Sequence, residues 1–260
     1  MSAAIAVRAP ADVLADLTAG RLRAAEPDPT APDGWRVNPD VKAAILAAFA
    51  DRTSTAWEAG PLAFRDRAAF PPIDPGPDRR IVPGGTAIRT GAHLEPGVVV
   101  MPPSYVNVGA WVGAGTMVDS HVLVGSCAQI GARVHLAAGV TIGGVLEPPG
   151  ARPVIVEDDA FVGAGSRLLE GVLVSRGAVI GAGVVLTGTS RLFDLVRERE
   201  IEGTGERPLV VPPGAVVVPG SRPAMGPWAA ARGLAIATAL IVKDRDPGTD
   251  ARVALEDALR

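Results

Sequence analysis

An aliphatic side chain recurs at every sixth position through the middle of the chain, without a break from Ile88 to Ile142. After an interruption the same spacing runs from Val156 to Leu192. A small or β-branched residue stands four places after most of these side chains, and glycine often follows them directly, as at Gly125. A period of six fits neither an amphipathic helix nor a long alternating strand. It predicts a three-sided solenoid in which three hexads make one turn and the aliphatic side chains stack inside.

The interruption is the segment 145–154, which is rich in proline. Ile142 and Val156 lie 14 positions apart, which equals two hexads plus two residues. Because the period continues afterwards, the segment is predicted to be a loop inserted in one coil and not the end of the array. The periodic glycines are expected to serve the turns between faces, where glycine tolerates unusual backbone conformations.

The chain on either side of the solenoid has a different pattern. Residues 1–79 are predicted to form a mostly helical N-terminal domain, with helical spacing in Ala11–Leu22 and in Pro39–Ala50. The solenoid with its inserted loop is predicted to occupy residues 80–192. Residues 193–260 are predicted to form a loop and strands that cover the end of the coil.

Several elements are predicted within this C-terminal cap. The charged stretch after Leu192 is expected to form a protruding hairpin or loop. Val210–Val218 and Leu234–Lys243 have the composition of strands, and Val253–Leu259 that of a short helix.

Composition and charge exclude several classes of protein. Hydrophobic residues make up 48% of the 260 residues and charged residues 20%, as in a folded domain and not a disordered chain. The net charge of −3 offers no basic surface for nucleic acid or an anionic membrane, so neither is expected as a partner. A single cysteine, Cys127, precludes a disulfide within the chain and fits a reducing compartment, so a cytoplasmic location is expected.

The three histidines do not predict a metal site. A metal enzyme on such a solenoid would need three histidine ligands at the spacing of the coils. The chain has only His93, His121 and His135, and the last two lie 14 positions apart, which is not a whole number of hexads. No metal is therefore expected.

The most specific motifs lie in residues 101–166 and are longer than the hexad repeat alone requires. They read Ser104-Tyr105-Val106-Asn107, Gly115-Thr116-Met117-Val118-Asp119, Gly125-Ser126-Cys127-Ala128-Gln129-Ile130-Gly131 and Gly143-Gly144-Val145-Leu146-Glu147-Pro148. With these motifs the chain closely resembles the tetrahydrodipicolinate N-succinyltransferases of bacterial lysine biosynthesis. Other hexapeptide enzymes share the period but not these motifs, and a weaker likeness covers roughly residues 13–245.

The resemblance implies a fold, an assembly and a reaction. The fold is an all-β-dominated, left-handed parallel β-helix with a small helical N-terminal domain and a short C-terminal cap. The assembly is a homotrimer with active sites in the clefts between neighbouring solenoids. The reaction is acyl-CoA-dependent N-acyl transfer, most specifically of succinyl from succinyl-CoA to ring-opened tetrahydrodipicolinate, an amino dicarboxylate, in lysine and diaminopimelate biosynthesis. Succinyl-CoA or another acyl-CoA is the co-substrate, and no permanently bound cofactor takes part.

Three positions match catalytic motifs of this family. Asp119 matches the acidic residue that contacts the substrate amine and assists its deprotonation. Gly144, beside the inserted loop, matches a glycine whose backbone N–H faces the thioester carbonyl. Gly143, the residue before it, is a candidate for binding acyl-CoA. Glu170 retains the second glutamate of a family motif. A solvated turn aspartate and a simple corner glycine are the structural alternatives for Asp119 and Gly144.

Three cations are candidates for binding the substrate or acyl-CoA. Arg80 matches a family arginine that pairs with a substrate carboxylate, a task that suits the guanidinium fork. Arg191 and Lys243 are candidates for the phosphates of acyl-CoA. Each of the three is otherwise interpreted as a solvated surface cation.

Two candidate substrate-binding positions depart from the family motif. Arg167 stands where the family commonly has an active-site glutamate, and it would repel a substrate ammonium and attract a carboxylate. His121 stands where the family usually has tryptophan, and it is either a base at neutral pH or a surface residue. His135 and Cys127 are expected to be structural, with Cys127 packed against a neighbouring solenoid.

These departures leave the acceptor substrate open. The alternative to tetrahydrodipicolinate is a different amino-acid-like amine, with acetyl or another acyl group as donor, in secondary metabolism. A third interpretation is a hexapeptide scaffold without catalysis, because fold alone does not determine function. Asp119 and the Gly143–Pro148 motif argue against the scaffold.

Overall fold

The chain begins with two helices and two hairpins. The computed structural model describes residues 8–148, 151–204 and 207–253. Before the solenoid the elements are α1 Pro10–Thr18, β1 Ala25–Pro27, β2 Trp35–Val37, α2 Pro39–Ala50, β3 Ser54–Ala59 and β4 Leu62–Arg67. Strands β1 and β2 form one antiparallel pair, and β3 and β4 form another. The helix predicted over Pro39–Ala50 is present with those bounds, whereas the sequence pattern did not predict the hairpins.

A parallel coil of two-residue strands follows. Its strands are β5 Arg80–Ile81, β6 Ala87–Ile88, β7 His93–Leu94, β8 Val99–Val100, β9 Tyr105–Val106, β10 Trp111–Val112, β11 Met117–Val118, β12 Leu123–Val124, β13 Gln129–Ile130, β14 His135–Leu136, β15 Thr141–Ile142, β16 Ile155–Val156, β17 Phe161–Val162, β18 Arg167–Leu168, β19 Leu173–Val174, β20 Val179–Ile180 and β21 Val185–Leu186. Strands three apart pair in parallel, so that Trp111 pairs with His93 and with Gln129, 18 positions away on either side. One turn of the coil is therefore three hexads.

The strands stack into three faces. Face A contains β7, β10, β13, β16 and β19; face B contains β5, β8, β11, β14, β17 and β20; face C contains β6, β9, β12, β15, β18 and β21. The chain visits the faces in the order B, C, A. The turns between them are named here the B–C, C–A and A–B corners.

The predicted aliphatic series forms the interior of the coil. Each of its members is the second residue of a strand. The interior is one continuous hydrophobic core in which Val118, Ile130 and Leu168 are fully buried. The small residues four places later are buried as well, including Thr116 and Ala128. Burial of apolar surface stabilises by roughly 25 cal/mol per Å², so this in-register stack is the main source of stability of the coil.

The glycines that follow the inward side chains are required by close packing and not by turn conformation. A Cβ at Gly125 would lie 2.2 Å from the backbone nitrogen of Gly144 in the next coil. A Cβ at Gly113 would lie 2.4 Å from the carbonyl carbon of Gly131. These distances are shorter than any tolerated non-bonded contact. These glycines lie at the turns between faces as expected, but neither has a positive φ, and the reason for glycine there is that it lets successive coils approach each other.

The segment 145–154 is a loop inserted at one C–A corner. Gln129 on face A pairs with Ile155, which is 26 positions later instead of 18, so the loop adds eight residues to a single step between faces. This agrees with the 14 positions between Ile142 and Val156, which are one ordinary hexad step plus eight residues, and it confirms the predicted loop within one coil. The insertion leaves the register of the coil intact on both sides.

The C-terminal elements extend the coil and then cover its end. They are β22 Arg191–Asp194, β23 Arg199–Glu202, β24 Val210–Val211, β25 Ala215–Pro223, α3 Pro227–Ala230, β26 Ala235–Asp244 and α4 Pro247–Val253. Strand β24 extends face A and β25 extends face B, so the core continues past residue 192. In the charged stretch, β22 and β23 form a hairpin, and β26 pairs with both β22 and β25. The helix predicted over Val253–Leu259 lies, beyond Val253, outside the described residues.

The N-terminal elements pack against face A and the C–A corners. A second hydrophobic core joins α1 and α2 to Cys127 of the coil. The Arg23 guanidinium lies 4.2 Å from the ring centroid of Trp111 on face A. Its Nε donates to Oε1 of Gln129 at 2.9 Å. Burial lowers the pKa of Arg23 to about 10, so this arginine remains charged at neutral pH and holds the N-terminal region to the coil.

Candidate active site

The predicted site residues lie mainly along the two edges of face C. Asp119 and His121 follow β11 at a B–C corner. Gly143 and Gly144 follow β15 at a C–A corner, and Glu170 lies at the next C–A corner. Within one chain, the width of face C separates the two groups. The two groups therefore cannot contact the same reacting atoms in a single chain.

Asp119 is half-buried, and its carboxylate forms no ion pair with a described residue. Its amide donates to the carbonyl of Leu136 at 2.9 Å. Its Oδ1 accepts from the Ser120 amide at 2.6 Å, and its carbonyl accepts from the Ser104 hydroxyl at 2.8 Å. The turn is thereby fixed, while Oδ2 accepts no hydrogen bond from a described residue. Ser104 belongs to one of the sequence motifs, and its hydroxyl supports this turn.

His121 is exposed and stands two residues after Asp119 in the left-handed backbone region, with φ of 60°. Its amide donates to the carbonyl of Pro103 at 2.7 Å. The equivalent position at other corners is usually glycine, as at Gly115 with φ of 66°. An L side chain in this conformation costs roughly 1–2 kcal/mol. No hydrogen bond to the ring from a described residue compensates for that cost.

Gly144 presents an unpaired backbone N–H at the opposite edge. The neighbouring Gly143 donates its own N–H to the carbonyl of Leu168 at 2.8 Å. Gly144 is exposed, and no acceptor within the described ranges takes its N–H. A Cβ on Gly144 would lie 2.5 Å from the backbone nitrogen of Ser126, so a larger residue does not fit. An exposed amide of this kind can stabilise a developing oxyanion.

Glu170 lies one coil beyond Gly144 along the same edge, since β15 pairs with β18. It is exposed and adopts a φ of 53°. Its Oε2 accepts from the Gly188 amide at 3.2 Å. One carboxylate oxygen therefore links successive corners. This hydrogen bond stabilises the edge of face C on which Gly144 also lies.

Arg167 is the outward residue of β18, on face C between the two edges. It pairs along the face with Thr141 and with Val185. The side chain is exposed and forms no ion pair with any residue in the described part of the chain. A guanidinium in this position is able to bind a carboxylate with two parallel hydrogen bonds.

Arg80 lies at the first strand of face B and is exposed. Strand β5 pairs with β8, and β8 pairs with β11. Two strand spacings, about 10 Å, therefore separate Arg80 from the strand that precedes Asp119. The structure does not bring Arg80 together with Gly144 in one chain.

The two cations predicted for acyl-CoA lie in the C-terminal cap and are already in ion pairs. Arg191 contacts Glu200 at 3.2 Å and Glu202 at 3.1 Å. Lys243 contacts Asp246 at 2.8 Å. Exposed pairs of this kind contribute about 1 kcal/mol or less, so a phosphate is able to replace the carboxylates.

A cavity of about 340 Å³ adjoins the last strand of face C. Val185, Thr189, Arg191 and Arg222 are among the residues that line it. Arg222 forms no ion pair with a described residue, so its guanidinium is open to an anionic ligand. Arg222 was not among the predicted residues, because it lies in a cap strand without a motif and nothing in its local sequence distinguishes it.

Cys127 and His135 have structural surroundings. Cys127 packs against α2 of its own chain, whereas the sequence had suggested a neighbouring solenoid. Burial raises the pKa of the Cys127 thiol to about 12, which removes it as a nucleophile at neutral pH. On face B, the ring of His135 makes an edge contact with Phe161, with 5.0 Å between the centroids.

Two further kinds of feature are absent from the described part of the chain. Over residues 8–148, 151–204 and 207–253, no group of three His, Cys, Asp or Glu side chains is arranged to hold a metal ion. Over the same ranges, no helix has both the length and the apolar character needed to cross a membrane.

Similarity to known proteins establishes the family. Residues 153–188 match a family model described as the hexapeptide repeat of succinyl-transferase. A 2,3,4,5-tetrahydropyridine-2,6-dicarboxylate N-succinyltransferase from Azoarcus sp. is 46% identical over 268 residues, covering 100% of this chain and 92% of the relative. The chain belongs to the tetrahydrodipicolinate N-succinyltransferase family. The resemblance read from the motifs is therefore confirmed.

Two further tetrahydrodipicolinate N-succinyltransferases extend the comparison. The protein of that name from Bordetella pertussis is 44% identical over 254 residues, covering 94% of this chain and 86% of the relative. The one from Aromatoleum aromaticum is 44% identical over 268 residues, covering 100% and 92%. The predicted fold class of this family, a left-handed parallel β-helix with a small helical region and a C-terminal cap, is confirmed by the repeat match and the observed strands.

Proposed function

We propose that this chain is an acyl-CoA-dependent N-acyltransferase that transfers succinyl from succinyl-CoA to the amine of ring-opened tetrahydrodipicolinate. One observation carries the proposal: two complementary groups border face C. They are the carboxylate of Asp119, which has no basic partner among the described residues, and the exposed N–H of Gly144, which has no acceptor there. The names of the full-length relatives agree with this reaction.

The two groups divide the chemistry between them. The Asp119 carboxylate accepts a proton from the acceptor amine as the nitrogen attacks the thioester carbon and the C–N bond forms. The Gly144 N–H donates to the carbonyl oxygen as negative charge develops on it. Collapse of the tetrahedral intermediate breaks the C–S bond, and the sulfur takes up a proton. The products are the succinylated amine and free CoA thiol.

The remaining predicted residues are proposed to bind the two substrates. Arg80 and Arg167 offer guanidinium groups to the carboxylates of the acceptor, and His121 lies beside Asp119. Gly143 and Glu170 support the edge that carries Gly144. Of these, Arg167 is supported most directly, because it is exposed on face C without an ion pair to a described residue.

The CoA portion is proposed to extend along face C toward the C-terminal cap. Arg191, Arg222 and Lys243 would bind its phosphates, with the cavity beside Val185 as the receiving space. Because acyl-CoA is the co-substrate, we propose that the protein acts in the cytoplasm. No permanently bound cofactor is needed for this chemistry.

A homotrimer is proposed as the active assembly. Asp119 and Gly144 lie on opposite edges of face C, and groups that act on one carbonyl must come within about 3–3.5 Å of the reacting atoms. In a cyclic trimer, the Asp119 edge of one subunit would lie against the Gly144 edge of the next. Each cleft between subunits would then contain one complete site.

The test is an assay of CoA thiol release from succinyl-CoA with and without tetrahydrodipicolinate. Thiol release is expected only when both are present. Asp119→Asn should lower kcat by about a hundredfold or more, because it removes the proton acceptor. Asp78→Asn, at an exposed carboxylate of the same chain, is the matched control and should keep normal turnover. Near-normal turnover in Asp119→Asn would refute the assignment, and inactivity with every acyl-CoA and amine would favour a scaffold.

A second candidate function keeps the acyl transfer and changes the acceptor. Arg167 places a cation on face C where the family motif commonly has glutamate, and this favours an acceptor with a carboxylate at that point. The same assay is run with acetyl-CoA and a panel of amino-acid-like amines. Activity with one of those pairs, and none with succinyl-CoA and tetrahydrodipicolinate, would establish the second function.

A further inference from the structure

Lys42 is a fully buried lysine in the first turn of α2, with 0% of its surface exposed. It lies between Val41 and Ile45, which belong to the second hydrophobic core. A buried ammonium is costly unless it is paired with acceptors. Burial lowers the pKa of Lys42, and the nearby Cys127 thiol is neutral at physiological pH because its pKa is about 12. Among the described residues, no acidic side chain pairs with this buried ammonium.

The hydrogen bond of this lysine is made to the inserted loop. Nζ of Lys42 donates to the carbonyl of Ala151. The same loop packs Leu146 against the second hydrophobic core, close to Cys127. The loop is thus held at two points, at Ala151 by Lys42 of α2 and at Leu146 by the second hydrophobic core.

Arg152 supplies a second tether from the loop itself. Its Nη1 forms an ion pair with Asp33, which precedes β2. Its Nε donates to the carbonyl of Gly171 at 3.0 Å, and its Nη2 donates to the carbonyl of Pro208 at 3.1 Å. The guanidinium is nearly buried and charged, since burial lowers its pKa only to about 10. The far end of the loop is therefore held to the N-terminal region and to the coil.

The near end of the loop is the corner that carries Gly144. The next residue, Val145, donates its amide to the carbonyl of Ser126 at 3.1 Å. A Cβ on Gly144 would meet the Ser126 nitrogen at 2.5 Å, so the backbone at Gly144 already touches the preceding coil. A shift of the loop would consequently move or rotate the N–H of Gly144, because the backbone there is in close contact with Ser126.

We infer that Lys42 is a positioning residue for acyl transfer: from α2 it fixes the inserted loop, and the loop in turn fixes the N–H of Gly144. The inference rests on the proposed function, in which that N–H donates to the thioester oxygen. Lys42 itself touches neither substrate. Its role is to make the orientation of an oxyanion donor depend on the docking of the N-terminal region.

The experiment compares Lys42→Met with Leu17→Ala. Methionine keeps the apolar length of the side chain and removes the donor. Leu17 is buried in the same core but belongs to α1, so its truncation loosens that core without removing the tether. Amide hydrogen exchange of the peptide spanning 145–154 is measured on the full chain without substrate, and kcat and KM are measured by thiol release.

Lys42→Met is expected to speed exchange in 145–154 and to lower kcat by about ten- to a hundredfold, as misplacement of a reacting group does. The KM for the amine should stay within about twofold, because the acceptor is bound elsewhere. Leu17→Ala should lower Tm without this fall in kcat. Lys42→Arg, which can donate to the same carbonyl, should recover part of the lost kcat.

Two results would overturn the inference. If hydrogen exchange in 145–154 is the same in Lys42→Met as in the wild type, Lys42 does not hold the loop, whatever the activity of the variant. A fall in kcat equal to that of Leu17→Ala at the same loss of Tm would reduce Lys42 to a stabilising residue. Failure of the proposed function looks different, because the wild-type protein would then release no thiol while the difference in loop exchange persisted.

Discussion

At the scale of single residues, the two edges of face C differ in the kind of group that they leave unsatisfied. Asp119 offers an acceptor oxygen, and Gly144 offers a donor N–H. The backbone around both residues is hydrogen-bonded to neighbouring coils. A rigid scaffold with one spare acceptor and one spare donor is the arrangement that acid–base and oxyanion chemistry require.

The only cysteine provides a residue-scale test of how the N-terminal region docks. Cys127 is buried under α2 and its thiol has a pKa of about 12, so at about pH 8 roughly one molecule in ten thousand is thiolate. The native protein should not react with a thiol reagent such as DTNB within minutes. After unfolding in urea, one thiol per chain should react. Rapid labelling of the native protein would mean that α2 does not cover this corner.

Much of the residue-level structure could be predicted because the hexad period reports directly on what lies inside the coil. The inward positions and the small residues beside them follow from the sequence alone. The reason for Gly125 and Gly113 could not be found in this way. A glycine needed for a close approach of backbones and one needed for a left-handed turn look the same in a sequence, and only the contact with the next coil separates them.

At the scale of elements, the inserted loop and the cap hairpin show two ways of adding chain to a closed coil. The loop leaves and re-enters at one corner and keeps the register. The β22–β23 hairpin follows β21, the last strand of face C, and its two strands pair with each other in antiparallel fashion. Its turn depends on Asp194, which is 1% exposed and accepts from the amides of Val196 and Arg197 and from Nε of Arg199.

The cap hairpin should loosen in acid through Asp194. Burial alone would raise the pKa of Asp194, but hydrogen bonds from Arg199 and the turn amides bring it below its ordinary value of 3.8. A carboxylate whose folded pKa is depressed stabilises the fold above the unfolded pKa, and that stability is lost as the pH falls through the folded pKa. Hydrogen exchange in residues 191–202 should therefore rise below about pH 3.8 and not between about pH 5 and 8.

The matching variant is Asp194→Asn, which should lower the free energy of unfolding by about 1–3 kcal/mol at neutral pH, as expected for hydrogen bonds to a buried charged group. It should also remove the acid-dependent step in hairpin exchange. Asp78→Asn serves again as an exposed control. An unchanged acid step in Asp194→Asn would assign the transition to other carboxylates.

The elements least accessible from the sequence are those with little burial. Both strands of the β3–β4 hairpin are almost entirely exposed, so they carry no alternation of apolar and polar residues for a pattern to detect. The hydrophobic periods of α2 and of the coil strands are visible because each buries one face. Arg222 and Lys42 likewise stand outside any motif, and their surroundings become apparent only once distant segments are packed together.

At the scale of the whole molecule, the proposed trimer makes a quantitative prediction for mixed assemblies. Asp119→Asn and Gly144→Ala should each lose most of their activity alone, and circular dichroism checks that the Gly144→Ala chain still folds despite the contact of its Cβ with Ser126. In randomly mixed trimers, about a quarter of the clefts would receive an intact Asp119 from one subunit and an intact Gly144 from the next. Co-refolded protein should therefore recover about a quarter of wild-type kcat, measured by thiol release.

The control is the same two variants mixed without refolding, which should stay inactive because the subunits do not exchange. A monomer by light scattering, or no recovery in a verified mixed trimer, would contradict a site shared between subunits. The sequence alone could not settle this point. It identifies both residues, but their placement on opposite edges of one face is a property of the closed coil.

The regular stacking of face C has a further consequence for the length of the acyl carrier. From the strand before Gly144 to the last strand of the face there are two steps, β15 to β18 and β18 to β21, which amount to about 10 Å. The number of coils thus fixes the distance between Gly144, at the thioester end, and the cap cavity that adjoins Arg222. Adding one complete turn of 18 residues would preserve every hydrogen-bonded register and yet move the cap about 4.8 Å away. Such an elongated protein would fold normally but would no longer match a carrier of fixed length.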